Sequence, residues 1–298
     1  MKNKNWLSLV VQLQGSVVPS ILYRVIGCGI FGMVISILHQ LKIPVSQPAF
    51  DKVITSTVLV LGLLLVFRTN TAYERFWEGR KCWGGVVINT RNLSRQIWTS
   101  VLEKKGEDRA EKESVLRLLV AFAVAMKLHL RSEPVNSELA ALMSSSQYDK
   151  LKTMSNPPLE IAAWIGDYFQ QQSERNCLNT YQVTAFNSLL NNMIEALSGC
   201  ERILRTPIPL AYVIHLKQLI LIFCLVLPFQ IVAQAIWFTG PIVAIVSFTL
   251  FGIEEIGIEI ENPFGHDPND LPLDGLCDTI GRNIDDLIKL EPSVGFKG

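Results

Sequence analysis

The sequence predicts an all-α membrane protein with four transmembrane helices and a helical cytoplasmic domain. Three observations carry that expectation. The run from Val53 to Phe67 holds no charge at all. Further strongly apolar runs lie near 21–41, 210–232 and 242–253, whereas residues 80–205 are polar and amphipathic. The composition agrees: across 298 residues only 18% are charged, which is sparse for a soluble domain and too many for a wholly membrane-embedded chain.

In chain order, Trp6 to Pro19 is apolar but interrupted by Gln12 and Gln14. A secretory leader would show a continuous apolar region and a small-residue cleavage site. The pattern predicts instead an interfacial amphipathic helix within residues 1–20, with Trp6 at headgroup level. The first span is expected from Ile21 to Leu41, with Gly27, Gly29 and Gly32 allowing close helix approach. Pro44 and Pro48 make the following connector a loop. The second span is Val53–Phe67, extended by a turn to the roughly 17 to 25 residues a crossing needs. Arg68, Tyr73, Glu74, Arg75, Trp77 and Arg80 follow at once, as expected where a helix leaves the bilayer for a soluble domain.

Within 80–205, Lys112–Arg131 encloses the apolar core Leu118–Met126, too short to span and therefore read as a buried helix. Pro134 and the Ser144–Ser146 run are read as loop signals across 132–158. From Val183, apolar residues recur through Phe186, Leu190, Met193, Leu197, Cys200 and Leu204 at alternating spacings of three and four, a helix with one buried seam. Its opposite face, with Gln182, Asn187, Asn191 and Asn192, borders solvent or a watery vestibule. Pro207 and Pro209 then impose extended geometry on their predecessors, so Ile208 sits in a short non-helical link. Leu210–Val232 is the third span, Trp237–Pro241 a turn, and Ile242–Ile253 the body of the fourth. The tail ends in an amphipathic helix over Asp278–Leu290. The expected divisions are 1–79 (interfacial helix and spans one and two), 80–205 (cytoplasmic helical domain), 206–257 (spans three and four) and 258–298 (cytoplasmic C-terminal segment).

The basic residues nearest the spans, Arg68, Arg75, Arg80, Lys81, Arg202 and Arg205, put that domain and both termini in the cytoplasm of a multi-pass protein. A formal net charge of zero gives nucleic acid no electrostatic footing. The six cysteines (28, 82, 177, 200, 224 and 277) form no C-x-x-C motif and are expected to be reduced and structural. No H-E-x-x-H, phosphate-binding glycine loop or G-x-S-x-G elbow occurs, and no cofactor or metal is expected. The acidic group Glu254, Glu255, Glu259 and Glu261 is the one cluster with metal-ligand chemistry. The readings are carboxylates paired with arginines of the cytoplasmic domain, or the centre of a membrane-anchored metal-dependent enzyme or scaffold. His215 and Lys217 stand near the cytoplasmic end of the third span, facing either an axis or the interface.

Leu59, Leu63 and Phe67 share one helix face, with Thr55 a turn further out. Periodicity alone leaves that stripe open between lipid-facing surface, helix packing and a pore lining. Three blocks add what periodicity lacks. They are Val66-Phe-Arg-Thr-Asn-Thr-Ala-Tyr-Glu-Arg-Phe-Trp-Glu-Gly-Arg80, then Arg205-Thr-Pro-Ile-Pro-Leu-Ala-Tyr212, then Glu261-Asn-Pro-Phe-Gly265 with Asp270-Leu-Pro-Leu-Asp274. In this order, and across nearly the whole chain, they resemble the bestrophin family, particularly its bacterial and chloroplast branch.

The resemblance implies a homopentameric ion channel in the lipid bilayer of a bacterial inner or thylakoid-type membrane. It places Leu59, Leu63 and Phe67 on an apolar neck around the axis and Ile208 at a second, cytoplasmic aperture. It implies permeant chloride or other small anions, with a sodium- or potassium-selective channel as the alternative carried by some bacterial relatives. Animal members bind calcium with consecutive acidic residues just after Asn-Pro-Phe-Gly. Here the stretch reads His266-Asp-Pro-Asn-Asp270, leaving too few hard oxygen ligands for a tight site, so opening without calcium control is expected.

Overall fold

The structure, a computed structural model, describes residues 6–46 and 51–290. Among them every regular element is helical: α1 (Trp6–Val10), α2 (Val18–Gln40), α3 (Asp51–Ser100), α4 (Asp108–Leu130), α5 (Ser137–Ala140), α6 (Ser145–Leu151), α7 (Pro157–Glu174), α8 (Thr180–Arg205), α9 (Leu210–Ala235), α10 (Thr239–Glu259) and α11 (Leu273–Lys289). Pro48, expected to shape the first connector, lies outside the described residues. The chain divides into two compact units, one of residues 1–76 and 206–270, the other of 77–205 and 271–298.

In the first unit the interfacial helix is far shorter than expected. α1 stops at Val10, and Gly15 takes φ +74° before Pro19 opens α2. Glycine adopts that left-handed backbone at little cost. By length and composition, three stretches can cross a membrane: Val18–Gln40, Ile54–Ser100 and Leu210–Glu259. The third is broken by a 3-10 turn over Ile236–Phe238, so that α9 and α10 are separate helices packed on each other. Ile236 holds φ +46°, costly for a β-branched residue, while its carbonyl accepts from Ser36 Oγ at 2.8 Å and Thr239 Oγ1 at 2.7 Å. Ile21, Val25, Leu61, Leu65, Ile220, Phe223, Val243 and Phe251 form the common core of α2, α3, α9 and α10.

α2 and α10 meet most closely where both lack side chains. A Cβ at Gly32 would stand 3.0 Å from Gly240 Cα and 3.3 Å from Val243. Because the first obstacle is backbone, Gly32→Leu should force the helices apart and cost about 1–3 kcal/mol by overpacking. A lowered unfolding midpoint in detergent would register it; an unchanged midpoint would mean the two helices are not held this tightly.

In the second unit, α4 is the central element. Every residue from Leu118 to Met126 is buried, with α7, α8 and α11 packed around it. α8 buries Phe186, Leu190, Met193, Leu197 and Cys200 and leaves Asn191 and Asn192 exposed, in line with the middle of the predicted seam. Gln182, Val183, Asn187 and Leu204 are half-buried, and Ile203 rather than Leu204 is the buried residue at its end. One sequence expectation needs correction. The Ser144 run starts α6, with Ser144 and Gln147 forming a reciprocal capping box. Asn156 likewise caps α7, a helix the apolar pattern did not announce. Ionised pairs are buried here too: Asp108 accepts from the amides of Lys104 (2.7 Å) and Lys105 (2.9 Å) and pairs with Arg175. Those amides and the guanidinium hold the Asp108 carboxyl down at about 2.

Candidate functional site

α3 is two-faced along its first half. Ile54, Leu61, Leu65, Arg68 and Ala72 are buried against the rest of the first unit. Leu59, Leu63 and Phe67 stand on the other face and are 76%, 55% and 55% exposed in the single chain. Thr55 is exposed with them. A run with no charge between Ile54 and Phe67 packs on one side and presents greasy side chains on the other. Among the described residues, nothing covers that second face.

Arg68 ends the apolar run and turns inward. Its guanidinium is buried, 2% exposed, and Nη2 donates to Glu261 Oε2 at 2.6 Å. Its Nη1 is buried with no hydrogen-bond partner among the described residues. The other oxygen of Glu261, Oε1, accepts from the backbone N–H of Ile208 at 3.0 Å. Arg75 closes the arrangement: Nε donates to the Glu261 carbonyl at 3.1 Å and Nη1 to the Thr206 carbonyl. The Thr206–Pro209 link, which two prolines keep out of the helix, is thus fastened both to α3 and to the residues just after α10. Ile208 itself is half-buried. Spacing within the sequence gave no hint of this tie, because its members come from three distant blocks.

The acidic cluster does not assemble into one centre. Glu254 is buried and pairs with Lys217 at 2.7 Å and Arg24 at 3.7 Å, and Arg24 also reaches Glu255 at 3.2 Å. Glu259 accepts from Asn269 at 2.7 Å. The expected partners are arginines of the cytoplasmic domain; those found, Arg24 and Lys217, lie about two turns inside α2 and α9, in the first unit. The reason is that α10 continues to Glu259, beyond the predicted apolar body, so Glu254 and Glu255 still lie within the helix, beside α2 and α9. Among the described residues no group of three or more His, Cys, Asp or Glu is placed to hold a metal ion. Lys217 is therefore a structural counter-ion, while His215 is exposed. In the stretch after Gly265, Asp270 Oδ2 accepts from the Asp267 amide at 2.8 Å, so one of its two carboxylates is already engaged in a turn.

The bacterial/fungal bestrophin protein family matches residues 1–286. A voltage-dependent anion channel-forming protein from Nostoc sp. (strain PCC 7120) is 64% identical over 291 residues, covering 98% of this chain and 94% of its own. Another of that name from Synechocystis sp. (strain PCC 6803) is 54% identical over 287 residues, covering 96% and 93%. The crystal structure of a bacterial bestrophin homologue from Klebsiella pneumoniae superposes with a TM-score of 0.82 at 28% identity, covering 91% of this chain and 100% of that one. Family, relatives and fold agree along the whole apolar framework, and the chain belongs to the bacterial and fungal bestrophins, a family of membrane channels rather than enzymes.

Proposed function

We propose that the chain is one of five identical subunits of an anion channel that opens without calcium, each crossing the membrane four times with both termini in the cytoplasm. The observation that carries this reading is the uncharged, exposed stripe Leu59, Leu63 and Phe67 on α3, in a chain 64% identical to an anion channel-forming protein. Arranged around an axis, five copies of the stripe make an apolar neck. A bare ion in such a medium faces a cost of roughly tens of kcal/mol, so an ion passes only together with water. When the ring narrows it sheds its water and shuts; when it widens it wets and conducts. Phe67 at the neck's end turns an electropositive ring edge toward an anion. Ile208 forms the second constriction. With no fixed charge along the neck, discrimination among small anions is mild.

The test is the reversal potential of purified protein in a planar bilayer under a potassium chloride gradient. It should lie on the chloride side of zero. A potential on the potassium side would establish the cation-selective alternative, and electrically silent membranes would remove the channel reading.

A further inference from the structure

The cysteines, expected to be reduced and structural, fall partly into pairs. Cys28 on α2 is within hydrogen-bond reach of Cys224 on α9, and Cys82 on α3 within reach of Cys200 on α8. The first pair is buried in the apolar core of the first unit. The second is different. Cys200 is fully buried, whereas Cys82 is half-buried and open to solvent on one side.

The second pair sits between two antiparallel helices. Glu78 on α3 pairs with Arg202 on α8 at 2.5 Å, Asn89 accepts from Asn192 at 3.3 Å, and Thr90 donates to Met193 at 3.9 Å. Rising numbers on one helix meet falling numbers on the other. Between these rungs, Gly199 leaves room for the Cys82 sulfur, which lies 2.8 Å from where a Cβ at 199 would stand. Cys200 follows directly. The two sulfurs therefore belong to helix segments already held in register by flanking polar contacts. Disulfide formation needs such proximity, with Cα atoms about 4.4–6.8 Å apart.

We infer that Cys82 and Cys200 are a redox modification site, a dithiol that hydroperoxides convert to an intrachain disulfide tying α3 to α8. Cys82 is the attacking sulfur. Its thiolate takes the distal oxygen of the peroxide as the O–O bond breaks, giving a sulfenic acid and hydroxide. The Cys200 thiol then attacks that sulfur, the S–O bond breaks, and water leaves with the Cys200 proton. Two electrons pass from the sulfurs to the peroxide. The assignment of roles follows exposure: a polar oxidant reaches Cys82, and only Cys82 reaches Cys200. A hydrogen bond from the Cys200 thiol outweighs partial burial and the Glu78 carboxylate, and with the charges of Arg202 and Lys81 it favours the Cys82 thiolate, as an attacking cysteine requires.

The experiment treats the full chain in detergent or liposomes with hydrogen peroxide and maps its peptides without reduction. Wild type should give one cross-linked peptide pair, Cys82 to Cys200, which dithiothreitol separates. Cys200→Ser should halt at the sulfenic acid, raising dimedone labelling of Cys82 by roughly tenfold over wild type. Cys82→Ser should give neither product, and Cys28 and Cys224 should stay reduced throughout. The inference is overturned if Cys82 remains a thiol under peroxide, or if Cys200→Ser labels no more than wild type. Both readouts are chemical and need no current, so they stand apart from the test of the channel itself.

Discussion

Replacing Leu59, Leu63 and Phe67 together by alanine should raise single-channel conductance several-fold. Each substitution removes the atoms that narrow the proposed ring, and a wider, less greasy passage holds water that a tight one expels. The chain itself should tolerate the change well. All three side chains are more than half exposed within the subunit, and exposed substitutions cost roughly 0.5 kcal/mol or less. Conductance and stability should therefore part company: currents rise in bilayers while the unfolding midpoint in detergent barely moves. Unchanged currents would take these residues off the conduction path, and a large stability loss would assign them to packing between subunits instead.

Glu261→Ala should be the most damaging single carboxylate change in the first unit. Arg68 is buried and already has one nitrogen without a partner, so losing the Glu261 counter-ion strands a charge away from water. Removing one partner of a buried pair costs about 3–5 kcal/mol. The same deletion releases the Ile208 amide, loosening the link proposed as the second constriction. Two readouts follow: a large drop in thermal stability, and ion currents altered at the aperture. Glu261→Gln separates them, because an amide oxygen can still accept from Ile208 while offering Arg68 no charge. If neither variant affects stability, the tie between α3 and the link is not formed in the membrane.

Much of this architecture was legible because bilayer chemistry writes it plainly. The uncharged run before Arg68, the apolar stretches on either side of Trp237 and the seam through Phe186 and Cys200 follow from where apolar side chains must go. Residues 118–126 were legible as a buried helix since their run is too short to cross. What stayed hidden depends on partners far away in the chain. The capping role of Ser144 hinged on a glutamine three residues on, easily masked by the serines around it. The partners of Glu254 and Glu261 come from α2, α3 and α9, and the pairing of Cys82 with Cys200 needs two helices to run antiparallel in register. Periodicity describes one face of one helix; it does not say which other face it will meet.

The Tyr212 hydroxyl donates to the Leu64 carbonyl at 2.6 Å, although that oxygen is already an acceptor within α3. A carbonyl drawn sideways by a second donor tilts off the helix axis, and repeated tilts of this kind curve a helix. Leu64 lies between Leu63 and Phe67, so a tilt of its carbonyl would bend the helix between two side chains proposed to ring the passage. The curvature of the conducting wall would then be set from outside, by a phenol on α9, and a small roll of that outer helix would swing Phe67 relative to Leu63 without breaking a single apolar contact of the wall itself.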